Sequence, residues 1–201
     1  GKFKLKNNIN FLDLGFQPLA NNYIKKNQLI NREKKYRLKI GLNLKTKLVS
    51  INKPISSKIM FNNKYPYRSS MSKTMIKSFK NLSKIINKKF KPNKILEIGS
   101  NDGSFIKNFS KKKVIGIEPC SNVEKITKKM GFNTYPEYWS SKTAKQLLKK
   151  NGKVDLIYSA NTISHIENLD EVFKSINIIL NGQGILIIED PSLLECLKKN
   201  T

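Results

Sequence analysis

From Pro92 onward the chain alternates short apolar runs with amphipathic stretches, and no other feature constrains its fold as tightly. Lys94–Ile98, Val114–Glu118, Phe132–Tyr135, Val154–Ser159 and Ile185–Glu189 have the length and content of strands. Between them, Ser104–Ser110, Val123–Met130, Ser141–Lys150 and Leu169–Leu180 carry helical spacing, and Asn181-Gly182-Gln183-Gly184 has the residues of a turn. Parallel strands need crossovers of this length, and strands that are apolar on both faces need helices on both sides. The expected fold class is therefore α/β, a doubly wound and mostly parallel sheet. A helix over Ser70–Phe90 is expected to lead into it, with Met71, Met75, Phe79, Leu82, Ile86 and Phe90 on one face and Pro92 ending it. The region before residue 69 is different. Arg37–Ile51 suggests two short strands around Gly41, and Phe11–Ile24, with its turn-like Leu14-Gly15-Phe16-Gln17-Pro18, is expected to be mostly loop. Two parts follow: an irregular leader over 1–68 and an α/β domain over 69–201.

The richest stretch is Ile95-Leu96-Glu97-Ile98-Gly99-Ser100-Asn101-Asp102-Gly103, which puts glycines at the carboxyl end of the first sheet strand. Ligands of open α/β sheets bind at that end. Gly99 and Gly103 are spaced Gly-x-x-x-Gly rather than Gly-x-Gly-x-x-Gly, so a nicotinamide dinucleotide is disfavoured. Glycine lets the backbone turn sharply and come close to a ligand that a Cβ would exclude. Glu97 and Asp102 add negative charge beside the turn, which suits a cationic or amine-bearing ligand better than a phosphate. The second strand ends in Glu118-Pro119, about twenty residues beyond Gly99, where an acidic side chain commonly takes a ribose diol.

Glu97-Ile98-Gly99-Ser100-Asn101-Asp102-Gly103 resembles motif I of class I S-adenosylmethionine-dependent methyltransferases, and Glu118-Pro119 resembles the ribose-binding acidic position that follows it. Leu14-Gly15-Phe16-Gln17-Pro18-Leu19-Ala20-Asn21 and Tyr65-Pro66-Tyr67-Arg68-Ser69-Ser70 resemble the leader of the sugar C-methyltransferases that act on nucleotide-linked deoxyketosugars. Asn161-Thr162-Ile163-Ser164-His165-Ile166 resembles their fourth-strand loop. The resemblance covers about Phe11–Glu195 and implies a Rossmann-like methyltransferase domain with S-adenosylmethionine as cofactor. Glu97, Gly99, Ser100, Asn101, Asp102 and Gly103 are then expected to bind the cofactor, together with Glu118 and Pro119. Ser159, Ala160 and Asn161 are expected to border its methyl group. The implied reaction is C-methylation of a nucleotide-linked keto-deoxysugar through an enolate. His165 would assist proton removal, and Tyr65 and Tyr67 would donate to the developing enolate oxygen.

The sequence also departs from that family. The family's leader holds zinc through two Cys pairs; the second should fall near Asn43 and Thr46, and no sulfur stands there. No zinc is expected. The family continues past the fifth strand into a Tyr/His segment that takes part in catalysis, and this chain stops at Thr201. It begins with Gly rather than Met, so it is expected to be a fragment of a longer protein. A non-catalytic cofactor-binding remnant is the corresponding alternative.

A formal charge of +25 invites a nucleic-acid partner. Yet among 39 Lys+Arg residues only Arg32, Arg37 and Arg68 are arginine, the side chain that bidentate base and phosphate contacts favour. The end of the fourth strand, Ser159-Ala160-Asn161-Thr162, also lacks the Asn/Asp-Pro-Pro-aromatic motif of enzymes that methylate planar nitrogens. A nucleic-acid methyltransferase is kept as a rival, and the expected partner is a small molecule with no specific nucleic acid. Cys120 and Cys196 form no Cys-x-x-Cys pair, no apolar run reaches the ~18 residues of a membrane span, and no signal core opens the chain. A cytoplasmic protein is expected, of undetermined oligomeric state.

Overall fold

Successive residues of a strand face opposite sides of its sheet, and in the parallel sheet of this chain both sides are covered. The structure, a computed structural model, describes residues 8–24, 26 and 33–199; the outermost residues of both expected parts, 1–7 and 200–201, lie outside this set. The chain divides into two units, one of residues 1–61 with 65–67 and one of residues 62–64 with 68–201.

The first unit is a three-stranded antiparallel sheet of β1 (Asn8–Pro18), β2 (Lys35–Asn43) and β3 (Val49–Ile51), followed by a short helix, α1 (Ser57–Met60). The expected loop at Phe11–Ile24 is instead largely β1. What looked like a turn is an irregularity in the strand: the register slips between Asp13 and Phe16, and Gly15 takes φ +68 there, a backbone state glycine adopts without a Cβ penalty. Asp13 anchors the distortion, accepting from Gly15 N (3.1 Å) and from Arg37 Nη2 (2.7 Å) across the ladder. Gly41 does not separate two strands either; it sits inside β2 opposite Asn10, and the chain reverses after Asn43.

The second unit carries α2 (Lys73–Lys89), β4 (Ile95–Ile98), β5 (Val114–Ile117), α3 (Ser121–Lys129), β6 (Asn133–Tyr135), α4 (Ser141–Asn151), β7 (Val154–Ala160), α5 (Leu169–Ile179), β8 (Leu180–Glu189) and α6 (Leu193–Lys199). Its five strands are parallel in the order β6-β5-β4-β7-β8, which is the doubly wound sheet that the alternation predicts. On one face Leu96, Ile98, Ile115, Ile117 and Ile157 pack with Ala144 and Leu147 of α4 and Val172, Ile176 and Ile179 of α5. On the other, Ile95, Val114, Leu156 and Tyr158 pack with Phe79 and Ile86 of α2 and with Phe105, Ile106 and Phe109. Each such side chain is worth about 1.5–3 kcal/mol when fully buried.

Three expectations shift. Helix α2 starts after Ser72, whose hydroxyl caps Met75 N (3.2 Å); Met71 therefore falls in a preceding turn and is 76% exposed rather than in the core. Ser104–Ser110 is not a helix and holds only a 3-10 turn at Ile106–Asn108. Asn108 Nδ2 donates to the Ser104 and Phe105 carbonyls (3.1 and 2.9 Å), and Phe105 O also accepts from Asn108 N (3.1 Å), a three-residue step where a regular helix has a four-residue one. The turn at 181–184 is a bulge within β8, because Val154 pairs with Leu180 while Leu156 already pairs with Ile185. Asp155 fills that gap. Its Oδ1 accepts from Asn181 Nδ2 (2.6 Å) and its Oδ2 from Asn93 N and Lys94 N (2.9 and 3.0 Å), at the end of β7 opposite the expected ligand end. Among the described residues no helix is long and apolar enough to cross a membrane.

Candidate functional site

Strand order reverses between β4 and β7, so the crevice at their carboxyl ends is the place where an open sheet of this kind receives a ligand. The turn leaving β4 is tied first to its neighbour: Gly99 N and Ser100 N both donate to Ile117 O (2.8 and 2.9 Å), and Gly103 N donates to Ser100 O (2.9 Å). Gly99, Asn101 and Gly103 all have positive φ, at 78, 44 and 80°. At Gly99 the requirement is double, because a Cβ there would run into the Thr162 side chain of the loop after β7. That threonine is fixed in turn by its Oγ1–H donating to Ala160 O (2.9 Å).

This turn gathers three carboxyl groups. Glu118 accepts from Asn101 N with Oε2 (2.9 Å) and from Cys120 N with Oε1 (2.8 Å), so one side chain spans the loops after β4 and β5. Asp102 accepts from Ser104 Oγ (2.7 Å) and Ser70 N (3.1 Å), while Asn101 Oδ1 accepts from Ser69 N (2.8 Å). Glu97, on β4, is 3% exposed, and its Oε2 has no hydrogen-bond partner. Glu118 also takes a hydrogen bond from the Cys120 side chain, and the lone pairs left on Glu118 and Asp102 are open to a hydroxyl or ammonium donor.

Electrostatics corrects one expectation. Glu97 was expected to bring negative charge; instead burial, reinforced by Glu118 and Asp102, raises its carboxyl well above the usual carboxylate range and favours the neutral acid. Burial also raises Glu118, against the pull of the Cys120 and Asn101 N–H groups. The Cys120 thiol, buried beside Glu118, is pushed up as well and is unsuited to act as a nucleophile. Because the folded state binds the Glu97 proton more tightly than the unfolded chain, the stability it contributes is full below the ordinary value of 4.5 and is lost as pH rises through the folded value. Glu97→Gln, which fixes the neutral shape, is expected to gain melting temperature relative to the parent as pH goes from about 5 to about 8. Calorimetric scans across that range check it; a constant difference would refute it.

The remaining expected residues are placed unevenly. Gly99–Gly103 and Glu118 come together as described, with Pro119 half-buried beside them. Ser159 is fully buried and donates to Ile98 O (3.1 Å), so its side chain joins β7 to β4 rather than facing a ligand. Ala160 is half-buried where β7 ends, and Asn161, with φ +49, is exposed with its N–H on Glu189 O (2.7 Å). His165 is exposed in a 3-10 turn just beyond, at the carboxyl end of the sheet. Tyr65 and Tyr67 belong to the other unit, where their rings meet edge to face at 6.5 Å.

Some contributors escape sequence reasoning. Gly116 in β5 leaves room for Ser100, whose Oγ would lie 2.6 Å from a Cβ; a lone glycine in a β-branched strand was the available signal. The phenol of Tyr158, fully buried, donates to Glu189 Oε2 (2.9 Å) and supports a carboxylate at the rim of β8, which no local pattern announces.

Residues 67–199 match a family model described as a methyltransferase domain, and residues 4–61 match one described as a zinc binding domain. A C-methyltransferase of Streptomyces niveus, NovU, is 27% identical over 108 residues, covering 53% of this chain and 26% of that protein. The plantazolicin methyltransferase BpumL, solved with SAH, is 18% identical over 65% of this chain and 53% of its own, at a TM-score of 0.51. The same enzyme with SAH and a monoazolic desmethylPZN analog gives 17% identity and 0.50, covering 66% and 53%. The chain thus spans about half the length of that solved relative and about a quarter of the curated one.

Proposed function

The chain belongs to the methyltransferase domain family, and from that premise we propose that it binds S-adenosylmethionine over the β4 and β5 ends and methylates a carbon of a nucleotide-linked keto-deoxysugar. The observation that carries this reading is the Gly99–Gly103 turn with its three gathered carboxyl groups, Glu97, Asp102 and Glu118. In a chain of charge +25, the Asp102 and Glu118 side chains of this group are matched to a ligand with a ribose diol and a cationic end, while Glu97, pushed toward the neutral acid, offers a polar atom rather than a charge. The unpartnered Oε2 of Glu97 and the unpartnered Oγ of Ser100 fit a polar ligand as well.

S-adenosylmethionine supplies a methyl group already activated by its sulfonium, so alignment and exclusion of water are the main tasks left to the protein. Glu118 would accept both ribose hydroxyls while its other lone pairs keep the Asn101 and Cys120 N–H groups in place. Asp102 would face the amino-acid end, and Ala160 and Asn161 would border the reacting centre. A ring nitrogen of His165 would take the proton from the carbon next to the substrate ketone, leaving an enolate carbon as the nucleophile. The carbon target is supported by the C-methyltransferase relative and the sugar by the leader and fourth-strand motifs. The lysine-rich surface suits the substrate's diphosphate.

Titration calorimetry with SAH, followed by transfer of labelled methyl to a nucleotide-linked keto-deoxysugar or to RNA at physiological salt, tests the reading. One SAH per chain and label on a sugar carbon are expected. Absence of SAH binding would overturn the donor site, and label on RNA that survives salt would move the substrate to nucleic acid.

A further inference from the structure

The zinc-binding family match covers residues 4–61, and that stretch contains no cysteine and no histidine; Cys120, His165 and Cys196 all lie beyond it. Its acidic residues are Asp13 and Glu33, and Asp13 is engaged by Arg37. A structural zinc takes four ligands drawn from thiolate, imidazole and carboxylate. These residues do not fit one.

The β2–β3 reversal has another support. Asn43, 8% exposed, closes β2, and its Oδ1 accepts from Lys45 N (3.0 Å) and Thr46 N (2.9 Å). Its Nδ2 donates to Asn8 Oδ1 (2.9 Å) on β1. Its backbone is used on both sides, N donating to Leu48 O and O accepting from Lys47 N, each at 2.8 Å. A second amide pair, Asn52 Nδ2 on Asn10 Oδ1, ties the segment after β3 back to β1. Gly41 runs against this second pair; a Cβ there would meet Asn52 Oδ1 at 2.8 Å and Asn10 Oδ1 at 3.1 Å.

We infer that the Asn43 amide does in this unit what a bound metal does in a zinc-held turn, so that the β1–β3 sheet and its β2–β3 reversal are independent of zinc. An amide oxygen offers two acceptor sites, enough for two adjacent N–H groups, and its NH2 remains free to reach a neighbouring strand. Thiolate sites need deprotonated ligands and fail under chelation and acid; a neutral amide does neither.

Hydrogen exchange at the Lys45 and Thr46 amides, followed in the full chain grown with added zinc and then treated with EDTA, tests this. Unchanged exchange after EDTA is expected, whether or not some zinc copurifies. Asn43→Ala should speed exchange at both amides about tenfold or more, the loss expected for a hydrogen bond worth about 1.4 kcal/mol. Asn43→Asp, which keeps two acceptor sites and gives up only the donor to Asn8, should hold them near the parent rate. Stoichiometric zinc whose removal exposes these amides would overturn the inference, as would protection that survives Asn43→Ala. If the alanine variant does not fold, the aspartate variant and the EDTA comparison decide between the two.

Discussion

Glu118→Ala is expected to weaken SAH binding by about a hundredfold or more, the loss of two hydrogen bonds to a charged acceptor at roughly 1.5–3 kcal/mol each. The same change removes the acceptor for Asn101 N and Cys120 N, so stability should fall by about 2–4 kcal/mol, or roughly 5–15 °C in melting temperature for a chain of this size. The two effects can be separated. An SAH analogue lacking the ribose 2′-hydroxyl should bind the parent chain more weakly than SAH does, and should bind Glu118→Ala about as weakly as SAH binds that variant. If the variant still discriminates between the two ligands, Glu118 does not hold the diol, whatever happens to the melting temperature. A Glu118→Gln control keeps one acceptor oxygen but turns an NH2 toward a backbone N–H. It should fall between the parent and the alanine variant in stability while still losing most of the affinity.

Gly99→Ala tests the turn from the other side. The backbone there has φ +78, which costs an alanine about 1–2 kcal/mol, and the new Cβ overlaps the Thr162 side chain. Overpacking of this kind adds about 1–3 kcal/mol, so a drop in melting temperature of roughly 5–15 °C is expected, with SAH affinity down tenfold or more as the loop after β7 gives way. Adding Thr162→Ala removes the overlap but not the backbone cost. The double variant should therefore recover part of the lost stability, a non-additivity that a thermal-melt cycle detects. Full additivity would mean that the two residues are not in contact, and the packing described between the β4 and β7 loops would be wrong.

Both experiments rest on residues that differed in how far they could be read from the sequence alone. The strands of the parallel sheet and their order of appearance were legible because burial on two faces demands unbroken apolar runs, and such runs contrast sharply with the lysine-rich helices between them. The glycine turn was legible for a related reason: a backbone that must take positive φ selects glycine, and selection of that kind shows in the sequence. The half-exposed sheet of the first unit was not. Ile9, Phe11, Leu14 and Phe16 of β1 are each about half exposed, so no burial contrast marks the strand, and Gly15 serves a bulge in sequence that looks like a turn. The short helix expected after Gly103 is replaced by a 3-10 turn in which Asn108 donates from its side chain to Ser104 O and Phe105 O and from its backbone N to Phe105 O, a local competition that helical spacing does not register.

By itself, then, the sequence determined the α/β class, the carboxyl-end turn and the acidic residues that line it, since each of these follows from periodicity or from a local backbone requirement. Only the tertiary structure decided what those residues do. It gave both oxygens of Glu118 to backbone N–H groups of two different loops, turned Ser159 into a link to β4, and buried Glu97 so deeply that its carboxyl is pushed well above the usual carboxylate range. Those outcomes depend on which groups from distant parts of the chain arrive beside a side chain and on how much water they displace. Neither quantity is a property of any local stretch of sequence.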